Sequence, residues 1–211
     1  MSFVGKKFPS ITVDAMSEMG DDLRINVYEE AVKNQKKVLL FWYPKDFTFV
    51  CPTELHAFQE AMAEFDKRNT AIIGASCDTN EVHFAWLNTS KDNGGIEGIT
   101  YPLLADTHRH LSSTLDILDQ EVDYDDESGE EVYSGGNVTY RATYLIDEEG
   151  KVFHESINDM PLGRNVQEYL RMIDAYTHVQ KHGEVCPANW EEGKEAMSAD
   201  RKSTAEYLSR H

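Results

Sequence analysis

The sequence predicts an α/β protein with a mixed central sheet flanked by helices and a C-terminal extension. Three observations carry that prediction. Short apolar runs rich in strand formers alternate with amphipathic stretches of helical period along most of the chain. The last two apolar runs are joined by a short polar turn containing glycine, the pattern of a hairpin, so not every strand is reached by a helical crossover. Beyond residue 182 the alternation stops and a polar tail follows.

The elements come in the order β-α-β-α-β-α-β-β-α. Val38-Leu39-Leu40-Phe41-Trp42-Tyr43 is apolar throughout and reads as a buried strand. Thr53 to Lys67 places Leu55, Phe58, Ala61, Met62 and Phe65 on one helical face. Thr70 to Ser76 is a second buried strand, and Asn80 to Ser90 a helix with Asn80 as the expected N-cap and Glu81 in its first turn. Tyr101 to Ala105 and His108 to Leu115 read as a short strand and a short helix. Arg141 to Asp147 and Val152 to Ser156 flank the turn Glu148-Glu149-Gly150-Lys151 as a hairpin. Asn165 to His182 is the last helix. Residues 1–182 are therefore expected to form one domain, and residues 183–211 an arm.

Composition narrows the function classes. The 211 residues are 40% hydrophobic and 27% charged, enough apolar content for a folded core. Net charge is −18, which repels phosphate backbones and anionic bilayers, so neither nucleic acid nor membrane is an expected partner. No apolar run approaches the roughly 20 residues of a transmembrane helix, and the start Met1-Ser2-Phe3-Val4-Gly5-Lys6-Lys7 has no apolar signal region. A cytoplasmic address is expected. Three cysteines, Cys51, Cys77 and Cys186, are too few and odd in number for a secreted disulfide scaffold, and there is no CxxC pair. Disulfide chemistry at one cysteine would then draw on a distant second thiol.

Cys51 is the residue to follow. It lies between the strand ending at Tyr43 and the helix that follows Pro52-Thr53-Glu54. A helix N-terminus offers free backbone N–H groups and a favourable dipole, a setting in which a thiol is held as the nucleophilic thiolate. Pro44, Thr48 and Cys51 form the pattern PxxxTxxC. That set suits peroxide reduction, in which a thiolate attacks one oxygen and charge grows on the other. Thr48 offers a hydroxyl that both accepts and donates, and Pro44, without an N–H, walls the pocket against water. A fixed cation is also needed. Arg141, at the start of a core strand, is the first choice; Arg164, in the loop before the last helix, is the second.

Other features receive plainer readings. Residues 119 to 131 hold eight acids and no Lys or Arg, which predicts a solvated loop; the spacing of an EF-hand is missing, so calcium is not expected. Cys77 follows a buried strand and precedes Asp78, and reads as structural. His83 and Trp86 read as packing residues, and His108 and His110, two apart, point to different helix faces and make a poor metal pair. No metal or bound cofactor is expected.

Three segments, FWYPKDFTFVCPTE, YRATYLIDEEGKV and HGEVCPANW, resemble in matching order the signatures of a typical 2-Cys peroxiredoxin of the alkyl hydroperoxide reductase C type. The resemblance extends from Lys7 to the C-terminus. It implies a thioredoxin-like fold, a peroxidatic Cys51, a resolving Cys186 in the arm, and Pro44, Thr48 and Arg141 in the pocket, with Glu54 organising the arginines. It further implies a thiol peroxidase acting on hydrogen peroxide and organic hydroperoxides. Its cycle passes through a Cys51 sulfenic acid and an intersubunit disulfide with Cys186. A thioredoxin-like or flavoprotein-linked reductant reopens that disulfide, and the protein is a homodimer assembled into a ring of dimers. Two departures bear on sensitivity to overoxidation. Asn93-Gly94-Gly95-Ile96-Glu97-Gly98 is similar to the family's GGLG loop with a residue inserted, and Tyr207-Leu208 replaces its terminal Tyr-Phe pair. Two alternatives remain at this stage: a redox-regulated oligomeric chaperone or signalling scaffold, and a 1-Cys peroxiredoxin that does not need Cys186.

Overall fold

The computed structural model describes residues 2–125 and 127–210, and divides into two compact units, residues 1–164 and 165–211. The first holds a seven-stranded sheet with strands β1 (Thr12–Met16), β2 (Asp22–Asn26), β3 (Lys37–Trp42), β4 (Thr70–Ser76), β5 (Leu103–Ala105), β8 (Arg141–Ile146) and β9 (Val152–Asn158), in the order β2-β1-β5-β4-β3-β8-β9. The two strands numbered between β5 and β8, β6 (Glu121–Tyr124) and β7 (Glu131–Ser134), form a separate hairpin. β3 pairs parallel with β4, and β4 with β5, whereas β8 runs antiparallel to both β3 and β9. The expected mixed sheet is therefore present.

Alternation along β3 explains how helices cover both sheet faces. All six of its residues are buried. Val38, Leu40 and Trp42 join a core with Val27 and Ala31 of α1 (Val27–Asn34) and Leu111 of α5 (His110–Thr114). On the other face the Phe41 ring stacks on Phe58 of α2 (Cys51–Glu60) at 4.2 Å, and Tyr43, just beyond the strand, packs on Trp86 of α4 (Asn80–Leu87) at 5.9 Å. Such aromatic pairs contribute about 0.5–1.5 kcal/mol beyond their burial.

Several elements differ from the sequence reading. The helix expected over residues 53–67 begins at Cys51 and breaks at Ala61, giving α2 and α3 (Met62–Lys67). The Ala61 N–H reaches both the Ala57 and Phe58 carbonyls at 3.2 Å, a tightened last turn that ends α2. Helix α4 is capped by Thr79, whose hydroxyl accepts the Val82 N–H; Asn80, the expected cap, is its first residue. The acidic stretch expected as a loop contains the β6–β7 hairpin, with Asp126 outside the described residues. Val122 and Tyr124 alternate with acids in β6, Val132 and Tyr133 stand together in β7, and the Asp125 carboxylate accepts the N–H groups of Glu127 and Ser128 to close the turn.

The second unit begins with α6 (Val166–His182), capped by Asn165 and ended by Gly183 at φ 68°, where a left-handed backbone favours glycine. Residues 184–197 fold back along this helix, and α7 (Arg201–Leu208) follows an Asp200 cap. The expected arm, residues 183–211, lies within this unit. Among the described residues, no helix is long and apolar enough to cross a membrane.

Candidate active site

Strand β3 ends against a loop, residues 43–50, that delivers Cys51 to the first position of α2. The loop is held from below. The Asp46 N–H donates to the Asp78 carboxylate at 2.9 Å, and Asp46 Oδ2 meets His83 Nδ1 at 2.7 Å with both side chains fully buried. The other ring nitrogen, Nε2, faces the Leu104 carbonyl at 3.1 Å. Burial disfavours the imidazolium, but two acceptors, one on each ring nitrogen, outweigh it and hold His83 above its ordinary value of 6.5. Asp46 is also raised, chiefly by burial, with His83 acting against that rise. His83, read from sequence as a packing residue, is thus a buried polar clamp on the loop.

Cys51 is 1% exposed. Thr48 Oγ1 lies 3.0 Å from its sulfur and 2.8 Å from the Lys45 carbonyl oxygen. One hydroxyl has one proton. When it is given to Lys45, the Thr48 lone pairs face the sulfur side and can accept a peroxide O–H. Arg141 Nη1 donates toward the sulfur at 3.4 Å, while its Nε holds the Met160 carbonyl at 2.6 Å. Pro44 is buried on the same loop.

The cation is locked by Glu54, one helical turn beyond Cys51 and 4% exposed. Glu54 Oε2 accepts from Arg141 Nη1 at 2.7 Å and from Arg164 Nη2 at 2.9 Å, and Oε1 accepts from the Arg164 Nε and backbone N–H, both at 2.9 Å. Arg164 then donates to the carbonyls of Trp42 and Ala142 and lies over the Phe41 ring at 5.0 Å. Sequence reasoning ranked Arg164 second because it sits in a loop. The signal it underweighted was Glu54 itself: a carboxylate on a buried helical face needs compensating donors, and Arg141 alone does not satisfy both oxygens. The structure brings Thr48, Cys51, Glu54 and Arg141 together, with Arg164 added, and leaves Pro44 buried on the loop that precedes Cys51.

Beyond Cys51, the loop on the far side of α2 fastens the rest of the helix. The Tyr101 hydroxyl donates to the Leu55 carbonyl at 2.8 Å, His56 Nε2 lies 3.1 Å from the Gly95 carbonyl, and Gln59 binds Thr100. Gly95 has no room for a side chain, since a Cβ there would fall 1.9 Å from the Thr89 carbonyl oxygen.

Residues 4–155 match the AhpC/TSA family, and residues 175–210 match the C-terminal domain of 1-Cys peroxiredoxin. The chain belongs to the AhpC/TSA family. Alkyl hydroperoxide reductase C of Helicobacter pylori is 42% identical over 186 residues, covering 87% of this chain and 86% of that one. Peroxiredoxin-1 of Gekko japonicus is 38% identical over 212 residues, covering 100% and 97%. The reduced 2-Cys peroxiredoxin of Plasmodium vivax superposes with a TM-score of 0.87 at 38% identity, covering 99% and 100%. The recognition of a 2-Cys peroxiredoxin with a thioredoxin-like fold therefore holds, and the chain is a thiol-dependent peroxidase.

The other two cysteines are free thiols, as is Cys51. Cys77 Sγ lies 3.8 Å from Ser112 Oγ, and burial pushes its thiol up to about 11. Cys186 lies in the second unit, where its sulfur faces the Ala175 carbonyl oxygen at 3.7 Å. Among the described residues, no group of three or more His, Cys, Asp or Glu side chains is arranged to hold a metal ion.

Proposed function

We propose that this peroxiredoxin reduces hydrogen peroxide and small organic hydroperoxides through Cys51, with Cys186 as the resolving thiol. The observation that carries the reading is a buried sulfur at a helix N-terminus with a hydroxyl at 3.0 Å and a fixed guanidinium at 3.4 Å. The Cys51 thiolate attacks the nearer peroxide oxygen; the S–O bond forms as O–O breaks, and the electron pair leaves with the far oxygen as alkoxide or hydroxide. Thr48 accepts the peroxide O–H and Arg141 faces the growing negative charge, whose product takes a proton and departs as alcohol or water. Pro44 adds no competing N–H.

Cys51 sulfenic acid and the Cys186 thiol then condense, the S–S bond forming as the S–O bond breaks and water leaves. A dithiol reductant, thioredoxin-like or linked to a flavoprotein, returns both thiols and is itself oxidised to a disulfide. The proposed organisation is a homodimer, further assembled into a ring of dimers, in which residues 183–211 carry Cys186 to the Cys51 of the other subunit. Its place of work is the cytoplasm.

The test is a non-reducing gel after one equivalent of hydrogen peroxide, run on wild type, Cys51→Ser, Cys186→Ser and Cys77→Ser. A disulfide-linked dimer in wild type and Cys77→Ser, absent from the other two, is expected. Thiol loss at Cys51 without a dimer in wild type would reject the intersubunit cycle. Turnover of many peroxides per subunit with a dithiol reductant is expected as well, and stopping after about one would favour a scaffold.

A further inference from the structure

Helix α6 carries Arg171, Ala175 and His178 at spacings of four and three, one continuous stripe. The segment bearing Cys186 is fastened along it at three points. The Cys186 S–H faces the Ala175 carbonyl oxygen at 3.7 Å. Arg171 Nη1 donates to the Trp190 carbonyl at 3.0 Å, and the His178 ring packs on the Trp190 indole at 4.9 Å while its Nε2 lies 2.8 Å from Glu184 Oε2. Within the segment, the Trp190 N–H returns to the Pro187 carbonyl at 3.2 Å and its indole N–H reaches the Lys194 carbonyl at 3.1 Å. Val185 and Met197 exchange two backbone hydrogen bonds, closing the segment at its ends.

Arg171 differs in kind from the other fasteners. Its Nε and Nη2 form a fork on Glu168, both at 2.7 Å, so the guanidinium plane is fixed and Nη1 is aimed at the Cys186–Trp190 turn. We propose that Arg171 is a positioning residue for the resolving step, holding the Cys186 turn on α6 and keeping a fixed positive charge one helical turn from the Ala175 carbonyl that the thiol faces. This rests on the reading of Cys186 as the resolving thiol. The thiol's surroundings agree: burial raises it above its ordinary value of 9.0, Arg171 opposes that rise, and Glu184 adds to it. The other charged groups around this pair are Glu168 and Glu191, which face Arg171, and His178, which engages Glu184.

The reacting species is the Cys186 thiolate. It attacks the sulfur of Cys51 sulfenic acid, hydroxide leaves, and the proton shed by Cys186 converts it to water. Removing the Arg171 charge lowers the thiolate fraction but makes the remaining thiolate a stronger nucleophile. Well below the thiol's titration the lost thiolate fraction outweighs the gain in nucleophilicity, which follows only about half of the same change, so the variant is slower at neutral pH. Above the thiol's own titration only the nucleophilicity gain survives, and the variant becomes the faster of the two. The two pH profiles must cross.

The experiment is acid-quenched rapid mixing of the reduced, full-length protein with hydrogen peroxide from about pH 6 to about pH 11, reading disulfide formation on non-reducing gels. Wild type is compared with Arg171→Met, Arg171→Gln as a second charge-removing variant, Arg171→Lys and Cys186→Ser. Support is a crossing profile in Arg171→Met or Arg171→Gln, with no reversal in Arg171→Lys below the titration of its own ammonium at about pH 10. A uniform change at every pH, or none, overturns the proposal, because a residue that only holds the turn cannot reverse sign with pH. If Cys186→Ser forms the same disulfide at the wild-type rate, the resolving assignment of Cys186 fails instead.

Discussion

Replacing Glu54 by Gln keeps the shape of the side chain and removes its charge. In the native site that carboxylate takes four donors: Arg141 Nη1, and the Arg164 Nε, Nη2 and backbone N–H. Glutamine supplies one acceptor oxygen, and in either orientation its NH2 faces a guanidinium donor. Two arginines are then left buried with no anion between them. Removing one partner of a buried pair costs about 3–5 kcal/mol, and this case belongs at the upper end because one anion serves two cations. At about 2–4 °C per kcal/mol for a chain of this size, the midpoint of thermal unfolding falls by about 8–20 °C. Thermal and urea unfolding of the reduced protein at neutral pH, followed by circular dichroism, read the change. Adding Arg164→Met to Glu54→Gln should cost less than the sum of the two single changes, since it removes a charge already stranded. A Glu54→Gln midpoint within about 2 °C of wild type would refute the reasoning and mean that desolvation had cancelled the attraction.

Other outcomes follow from distances already given. Thr48→Val removes the hydroxyl at 3.0 Å from Cys51 and should lower kcat/KM for hydrogen peroxide about 10²- to 10³-fold with an unchanged unfolding midpoint; a change under about threefold would dismiss its role. His83 binds its proton more tightly in the folded protein, so its contribution to stability is fully present below pH 6.5 and is lost as pH rises through the higher folded value. Asp46, also raised, acts in the same direction. Urea stability measured against pH should therefore decline above pH 6.5 in wild type, and the decline should flatten in His83→Gln; equal slopes would reject the clamp's linkage. Cys77, pushed up to about 11, should react with iodoacetamide at pH 8 about tenfold more slowly than an ordinary thiol, the loss of thiolate being partly offset by its greater nucleophilicity, read by peptide mass spectrometry. Labelling at the ordinary rate would mean that the thiol is not shielded.

What was legible in the sequence had strong local period or a special residue. The strand expected at Thr70–Ser76 is found at those residues, because a run buried on both faces and bounded by polar residues admits little else. Pro44, Thr48 and Cys51 announce one another through short spacing. The N-terminal strands β1 and β2 went unread because only part of each is buried, and β2, exposed at its first three residues and buried at its last two, carries no alternation. Arg164 and the Asp46–His83 pair were missed or ranked low for another reason. Each becomes meaningful only through a partner 37 to 110 residues away, a distance that only the sheet closes. The acidic segment misled because its charge was weighed above the Val and Tyr residues interleaved with it.

The fasteners on α2 set the length of a leash. Leu55, His56 and Gln59 are tied to the loop beyond the helix, and Glu54 is gripped by two guanidiniums, so Cys51, Pro52 and Thr53 are the helical residues upstream of these four ties. Three extended residues span about 10 Å. The oxidised sulfur can therefore swing within a sphere of about that radius centred near Glu54 without disturbing the clamp. Any thiol destined to meet it must cover the remaining distance itself, and lengthening the leash requires first breaking the grip on Glu54. The charge network that serves the chemistry thereby also determines how far its product can travel.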